Sequence, residues 1–166
     1  MPFTPFHLGP ALLLGLIVFS YIDFPTFLIA NVIVDVEPFL VLALNLEYPL
    51  HGFLHSFLGG TLMAFLLATI MSKVREWFAP ILAFFKLEQK ASFRGVLLAS
   101  FLGIYLHILL DSPLYPKMKP LYPLDVNPFI SRSIPTSFEI YALCTISFIV
   151  GIAIYAIKLV YQKKMQ

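Results

Sequence analysis

The sequence predicts an all-α integral membrane protein, a helical bundle of about five segments. Of its 166 residues, 60% are hydrophobic and only 12% are charged, and the mean hydropathy is +0.89. Soluble domains are roughly 45–50% apolar and about 25% charged, so this composition is typical of a membrane protein. The apolar runs are evenly spaced and leave no stretch for a second domain. We therefore expect residues 1–166 to form a single membrane-embedded domain.

Five apolar segments account for the expected helices, at about 8–22, 24–46, 52–72, 93–111 and 138–159. Three of them reach the roughly 20 residues that cross a bilayer. The first is short, and it lacks the basic region and small-residue cleavage site of a removable signal peptide, so we expect it to be retained. The second contains Pro38, which removes a helix hydrogen bond and should break the helix just beyond Asp35. Broken backbone at membrane depth usually lines a cavity.

Two connections between these segments differ in composition from the apolar runs. Residues 73–92 mix Trp77, Phe78 and Phe85 with charged residues, which predicts an interfacial amphipathic stretch with aromatic rings toward lipid and basic groups toward headgroups. Residues 112–137 contain six prolines. Regular helix is excluded there, so we expect a stiff, irregular cover over one face of the bundle.

The basic residues predict the orientation of the chain in the membrane. Eight of the eleven lie between the third and fourth segments or after the fifth: Lys73, Arg75, Lys86, Lys90, Arg94, Lys158, Lys163 and Lys164. Cytoplasmic loops carry an excess of Lys and Arg, so this side should be cytoplasmic. The N-terminus, the 47–51 turn and the 112–137 cover then face outward. We expect a multi-pass protein of the cell (inner) membrane.

Several partner classes are excluded by composition. The net charge of +2 and the lack of a basic stripe with interleaved aromatics argue against nucleic acid. Cys144 is the single cysteine, so neither a disulfide framework nor a thiolate metal site can form. Membrane lipid is the expected environment, and no sequence feature indicates an oligomeric state.

All four histidines fall at or near the predicted outward ends of segments: His7, His51, His55 and His107. Acids join the same layer, because Asp35 and Glu37 flank the break in the second segment and Asp111 ends the fourth. A lone histidine at a membrane edge is most often a hydrogen-bonded structural residue. Several ionisable groups clustered near a bilayer, however, require a compensating partner, and a bound cation supplies one.

The spacing of these residues favours metal ligation. His51 and His55 are four residues apart, as are His107 and Asp111, and residues at i and i+4 share one helix face. Asp35 and Glu37 form a D-x-E pair in which one carboxylate could coordinate and the other could transfer protons. Imidazole and oxygen ligands without thiolate suit zinc, manganese or iron. The remaining outward acids, Asp125 and Glu47, are expected to be ordinary loop residues.

These residues resemble the motifs of the YdjM-like family of membrane-bound metal-dependent hydrolases. The family has an N-terminal histidine, a Pro-Asp-x-Asp block, a His-Arg-Gly-x-Thr-His-Ser block and a Ser-His-x-x-x-Asp block before proline-rich sequence. Here the corresponding residues are His7, Val34-Asp35-Val36-Glu37, Leu50-His51-Gly52-Phe53-Leu54-His55-Ser56 and Leu106-His107-Ile108-Leu109-Leu110-Asp111. The match departs at Leu50, which takes the first histidine position of its block, at His51 in the arginine position and at Glu37 in place of the second aspartate.

The resemblance implies an all-helical site similar to that of zinc-dependent phospholipases C, which hydrolyses an ester or phosphoester. On this hypothesis His7, Asp35, His55, His107 and Asp111, with His51 as a further candidate, hold one or more divalent ions, with zinc the first choice. Asp35 and Glu37 are the catalytic candidates, and Glu37 is a general base or bridging ligand. A phosphate headgroup would be held by Lys117, Lys119 or Arg132.

Two alternative functions fit the same residues. A divalent-ion transporter or channel also places histidines and acids on membrane helices, but it needs polar groups through the full membrane thickness. The inner halves of the third, fourth and fifth segments contain almost none. A metal-stapled scaffold without enzymatic activity would bind the ion and turn over no ester.

Overall fold

A computed structural model describes residues 6–90, 92–130 and 135–164, and within these ranges it contains helices and no β-strand. The α-helices are α1 (Leu8–Ile17), α2 (Phe24–Ile33), α3 (Val36–Ala43), α4 (Phe57–Val74), α5 (Ala79–Phe84), α6 (Phe93–Asp111) and α7 (Pro135–Lys164). The predicted fold class, an all-α membrane bundle, is confirmed.

Four helical stretches are long and apolar enough to cross a membrane: Phe24–Ala43, Phe57–Phe84, Phe93–Asp111 and Phe138–Gln162. The first joins α2 to α3, and the second joins α4 to α5 through a 3-10 turn at Arg75–Phe78. Helix α1 has only 10 residues, in keeping with the short first segment. These lengths and compositions are those of a membrane protein.

The predicted break in the second segment is present but lies at Val34 and Asp35 rather than beyond Asp35. Helix α2 ends at Ile33 and α3 starts at Val36. Pro38 has no N–H to donate to the carbonyl of Val34, and the N–H of Glu37 donates to that carbonyl instead, at 3.1 Å. The turn is therefore displaced toward the N-terminus by the proline, and it presents the side chain of Asp35 at the end of α2.

Helix α6 is central, packed between α2 and α4, while α1 packs on α2 and α7. The contact between α2 and α6 depends on Gly103. A Cβ there would lie 2.5 Å from the Cβ of Ala30 and 2.9 Å from the carbonyl oxygen of Phe27. Ile104 and Ile108 on α6 are fully buried in the same apolar core. The close approach brings the C-terminal ends of α2 and α6 together.

The starts of the three core helices are fixed by side-chain caps. The carboxylate of Asp23 accepts a hydrogen bond from the N–H of Thr26 at the start of α2. The hydroxyls of Ser56 and Ser92 accept from the N–H groups of residues 59 and 95 at the starts of α4 and α6. Such caps satisfy backbone donors that have no partner within the helix, and each stabilises a helix by about 1 kcal/mol.

An ion pair closes the end of the bundle where α2 and α6 begin. Arg75 donates through Nε to Asp23, and both side chains are buried. The side chain of Gln89 enters the same cluster, donating to the carbonyl of Ile22 at 2.7 Å and accepting from the N–H of Phe24 at 2.9 Å. The expectation that Arg75 faces lipid headgroups is therefore wrong, because it neutralises a buried carboxylate instead.

Elsewhere in the predicted amphipathic stretch, the large side chains of Trp77 and Phe84 are exposed, at 77% and 81%. Leu82, in the same stretch, is buried against Phe24 and Leu87. The interfacial position of residues 73–92 stays a prediction.

Candidate metal centre

Four predicted ligands meet at the end of the bundle opposite the Asp23–Arg75 pair. Asp35 lies at the break between α2 and α3, and His55 ends a 3-10 turn, Phe53–His55, just before α4. His107 and Asp111 occupy the last turns of α6. One potential ligand atom from each of these residues lies within 4.8 Å of the other three. This buried cluster could hold a metal ion.

The distances within the cluster suit ligands of a shared cation. The Nε2 atom of His107 lies 3.5 Å from Asp35 Oδ1 and 3.4 Å from Asp111 Oδ2, and the Nε2 atom of His55 lies 3.8 and 3.9 Å from the same oxygens. Ligand atoms about 2.0–2.1 Å from a tetrahedral zinc ion are separated by about 3.3–3.4 Å. Neither Nε2 atom has a hydrogen-bond partner among the described residues.

The burial and the charge of the four residues also fit a bound metal ion. His55, His107 and Asp111 are each at most 1% exposed. Two carboxylates, one each from Asp35 and Asp111, face two imidazoles, and such carboxylates carry a large desolvation cost unless an opposite charge compensates them. One divalent cation bound to two neutral imidazoles and two carboxylates gives a centre of zero net charge. The donor set therefore fits a divalent metal.

The outer nitrogen of each imidazole in the cluster is held by a hydrogen bond. His55 donates from Nδ1 to the carboxylate of Glu37 at 2.7 Å, and His107 donates from Nδ1 to the backbone carbonyl of Asn31 at 2.9 Å. A proton on Nδ1 leaves the lone pair of Nε2 directed at the cluster. This is the arrangement that orients metal-bound histidines in other proteins.

Glu37 is fully engaged by its surroundings. Besides His55, its carboxylate accepts hydrogen bonds from the N–H groups of Gly52 and Leu54, both at 3.0 Å. It therefore lies behind His55, on the side away from the cluster, and joins α3 to the loop that carries this histidine. This placement favours an orienting role over the general-base or bridging role that the sequence suggested.

The other two histidines contact Asp111 from outside the group of four. His7, buried at 2% exposure, lies with Nε2 3.1 Å from Asp111 Oδ1, a hydrogen-bonding distance. His51 lies with Nε2 3.7 Å from Asp111 Oδ2, and its ring stacks on Tyr115 at 3.6 Å between centroids. Asp111 is thus approached at one oxygen by His7 and at the other by the cluster and His51.

The helical spacing argument holds for one of the two predicted pairs. His107 and Asp111 lie on α6 and converge as i and i+4 residues should. His51 and His55 precede α4, so they do not share a helix face. The expectation that these two histidines lie at the start of the helix in the segment 52–72 is therefore wrong. Their rings nevertheless lie 4.6 Å apart, because the loop folds back on itself. Ser56 caps α4 and thereby moves the start of the helix beyond both histidines.

The titration of the two loop histidines reflects their different positions. Burial, followed by the neighbouring charge of His55, lowers the pKa of His51 to about 4. For His55, burial also favours the neutral ring, but its contacts with Asp35 and Glu37 outweigh this and raise the pKa above the ordinary value. The surroundings of His55 therefore favour a positive charge on its ring, whereas those of His51 disfavour one.

Two open clefts lie beside His51. One of about 390 Å³ is bordered by Lys117 and Lys119, and the other, of about 470 Å³, is bordered by Lys117 and by apolar residues. Lys119 pairs with Asp125 at 3.0 Å, and both groups are exposed. Arg132, the third proposed headgroup ligand, lies outside the described residues. The two lysines thus lie at an open surface next to the buried cluster.

Sequence reasoning missed Asn31 and Tyr115. Asn31 is fully buried in α2, and its backbone carbonyl fixes the ring of His107. Its position four residues before Asp35 in an apolar helix was the available signal. Tyr115 supports the ring of His51 from the proline-rich cover, and nothing in its local sequence indicates that contact.

A family model described as "YdjM inner membrane protein" matches residues 4–165, almost the whole chain. The chain belongs to this family. Comparison with curated proteins and with solved structures found no match. The family description names no reaction, so the chemistry is inferred from the residues of the site.

Proposed function

We propose that this member of the YdjM inner membrane protein family is a metal-dependent hydrolase of a lipid-type ester or phosphoester. One observation carries the proposal: two buried imidazole nitrogens, which have no hydrogen-bond partner among the residues that the structure describes, face two carboxylates at distances suited to a shared cation. The resemblance to zinc-dependent phospholipases C noted in the sequence supports the choice of reaction.

Asp35, His55, His107 and Asp111 would hold the ion. Zinc is the first choice because the donor set is imidazole and carboxylate and the separations approach those of a tetrahedral site, while Mn²⁺ and Fe²⁺ accept the same donors. A divalent cation in such a site supplies Lewis-acid activation of water and of the bond to be cleaved. In the net reaction the water oxygen bonds to carbon or phosphorus, the ester bond breaks, and the leaving oxygen takes up a proton.

The surrounding residues would keep the ligands in place. Glu37 orients His55, the carbonyl of Asn31 orients His107, and His7 holds the second oxygen of Asp111. Outer hydrogen bonds of this kind fix the tautomer of each histidine and increase its basicity as a ligand. Asp35, at the broken end of α2, is the ligand with the greatest exposure, 17% for its side chain, and so lies nearest to an entering substrate.

The substrate would enter from the membrane surface. The cluster lies at one end of the membrane-length helix α6, which in a bilayer would put it near the depth of lipid ester and phosphate groups. The two clefts lie beside His51, and Lys117 and Lys119 could contact a headgroup. From the positive-inside tendency we expect this end to face outward in a multi-pass protein.

The packing beneath the site disfavours a transporter. The interior between the cluster and the Asp23–Arg75 pair is mostly apolar, with Ala64, Leu67 and Ile104 among its side chains. The buried hydroxyl of Ser100 on α6 donates to the carbonyl of Val96 within the helix. A path for a divalent ion needs polar groups at intervals through this layer. A scaffold that only binds the ion remains the second candidate, and turnover separates the two.

The experiment measures bound metal and hydrolysis together. The parent protein, His107→Ala, Asp111→Ala and the exposed control Glu47→Ala are purified, and their metal content is determined by elemental analysis. We expect about one equivalent or more of metal in the parent and in Glu47→Ala, and loss in the other two. Hydrolysis of long-chain carboxyl esters and phosphoesters should be lost with the metal. Circular dichroism shows whether each variant retains its helices.

Three results would count against the proposal. Unchanged metal content in both His107→Ala and Asp111→Ala would defeat the ligand assignment. Stoichiometric metal without turnover on any ester would favour a scaffold. Uptake of the ion into liposomes by the parent, without hydrolysis, would favour the transporter.

A further inference from the structure

The two clefts beside the metal centre have different chemistry and share a border. His51 and Lys117 line both. The smaller cleft adds a second ammonium group, that of Lys119, whereas the larger adds Leu50 and Met118. A molecule that filled both would need an anionic group on one side of Lys117 and an apolar group on the other.

The smaller cleft has more positive charge than the described carboxylates neutralise. No carboxylate lies within ion-pairing distance of Lys117 in the described part of the chain, and Lys119 has only the exposed partner Asp125. Two ammonium groups facing one cleft repel each other, and an anion between them removes the repulsion. A phosphate, with several acceptor oxygens, can bind both ammonium groups at once.

The larger cleft suits an apolar chain. Met118 at its base is 1% exposed, and Pro49, Leu50 and Pro116 contribute further apolar surface. Burial of each methylene of a bound chain contributes about 0.8 kcal/mol. The clefts therefore match the two halves of an amphiphile.

His51 connects this surface to the metal centre. Its Nε2 lies 3.7 Å from Asp111 Oδ2, so a group resting on His51 is one side chain away from the ligands. The stacking on Tyr115 holds the ring in that position. A phosphate bound beside His51 would therefore lie next to the site of hydrolysis.

We infer that the substrate is an amphiphilic phosphoester, with its phosphate held by Lys117 and Lys119 and its apolar chain in the cleft formed by Leu50 and Met118. This inference rests on the proposed function and narrows it, since a neutral carboxyl ester would bring no opposite charge to Lys117 and leave Lys119 with only its exposed partner Asp125. The cleavage is hydrolysis of a P–O bond, in which water supplies the oxygen to phosphorus and a proton to the leaving group.

The test measures binding of unreactive probes to protein in lipid nanodiscs with chelator present. Hexylphosphonate, inorganic phosphate and hexyltrimethylammonium are compared by saturation-transfer and ³¹P NMR. We expect hexylphosphonate to bind about tenfold or more tightly than inorganic phosphate, because the apolar chain adds several buried methylenes. Hexyltrimethylammonium, which has the same chain and the opposite charge, should not bind.

Charge variants locate the binding to the cleft. Lys117→Met with Lys119→Met removes both ammonium groups while keeping apolar stems, and should weaken hexylphosphonate binding about fivefold or more. Asp125→Asn frees Lys119 from its partner and should strengthen binding. Lys73→Met changes an exposed lysine at the other end of α4 and should leave binding unchanged.

Failure of this inference and failure of the proposed function appear in different measurements. Mn²⁺ binding is followed separately by loss of the free-ion EPR signal. Equal hexylphosphonate binding by the parent and the double lysine variant would overturn the inference even if Mn²⁺ binds. Inorganic phosphate binding as tightly as hexylphosphonate would identify free phosphate as the ligand and overturn the amphiphile. Hexylphosphonate binding by protein that takes up neither Mn²⁺ nor zinc would support this subsite and defeat the metal-dependent reaction.

Discussion

The carboxylate of Glu37 provides a quantitative test of how the metal centre is built. It accepts three hydrogen bonds, from the Nδ1–H group of His55 at 2.7 Å and from two backbone N–H groups at 3.0 Å. In Glu37→Gln a single oxygen remains, and the amide –NH₂ must face at least one of these donors. If the amide keeps its oxygen on His55 and Gly52, its –NH₂ opposes the N–H of Leu54 and displaces the loop that carries His55, and the reverse orientation removes the partner of His55 itself.

The expected loss of metal affinity follows from the position of Glu37 behind a ligand. Removing the outer partner of a metal-bound histidine typically lowers affinity by about 10–100-fold. This corresponds to about 1.4–2.8 kcal/mol of binding free energy. His55→Ala removes the ligand itself and should reduce affinity much further, so the two variants separate an orienting residue from a ligand.

The assay is a competition titration against a chromophoric chelator with zinc in detergent solution. Glu47→Gln is the matched control, since Glu47 is exposed in the nearby loop and should leave affinity within about twofold. Affinity for Glu37→Gln within twofold of the parent would refute the orienting role. A loss of zinc affinity as large as that of His55→Ala would also refute the orienting role, because it would identify Glu37 as a ligand.

Three further outcomes test the fold and the site. Because the pKa of His51 is lowered in the folded protein, the unfolded state takes up a proton at this residue first as the pH falls. In metal-free protein the free energy of unfolding should therefore decrease by about 2–3 kcal/mol from about pH 7 to pH 4.5. Denaturant unfolding of His51→Phe should show no such decrease from this residue. Gly103→Ala should separate α2 from α6, which lowers the free energy of unfolding by about 1–3 kcal/mol and weakens zinc binding. Leu102→Ala, at an exposed position, should change neither quantity. Equal effects of the two substitutions would contradict the packing argument. Arg75→Gln leaves Asp23 buried without its cation and should cost about 3–5 kcal/mol in unfolding measurements, and a loss below about 1 kcal/mol would show that the pair is solvated.

The approximate positions of the membrane helices were predictable because they follow from chain composition, although Phe57–Phe84 runs past the predicted end at residue 72. Apolar runs of sufficient length specify the spans, and a proline inside one of them specifies a break. The displacement of that break toward Asp35 was not predictable to the residue, because it depends on which N–H group donates to the carbonyl of Val34. The start of α4 was misplaced for a similar local reason, since Ser56 caps the helix after His55 rather than before His51.

The residues of the candidate centre could be selected from sequence, but their roles could not. Histidines and acids near helix ends are visible as residue types, whereas their grouping depends on tertiary packing. Asp35 and Glu37 illustrate the difference, because they are two residues apart and yet one faces the cluster while the other lies behind His55. Arg75 shows the same limit at the other end, where its buried partner Asp23 is 52 residues away.

The four residues of the candidate centre come from positions 35, 55, 107 and 111, so the last two enter the chain long after the first two. Of these four, the first half of the protein supplies one carboxylate and one imidazole. The complete group of four exists only when α6 has packed beside α2. Loading of the proposed metal would thus be a late event in biogenesis that follows the assembly of these helices.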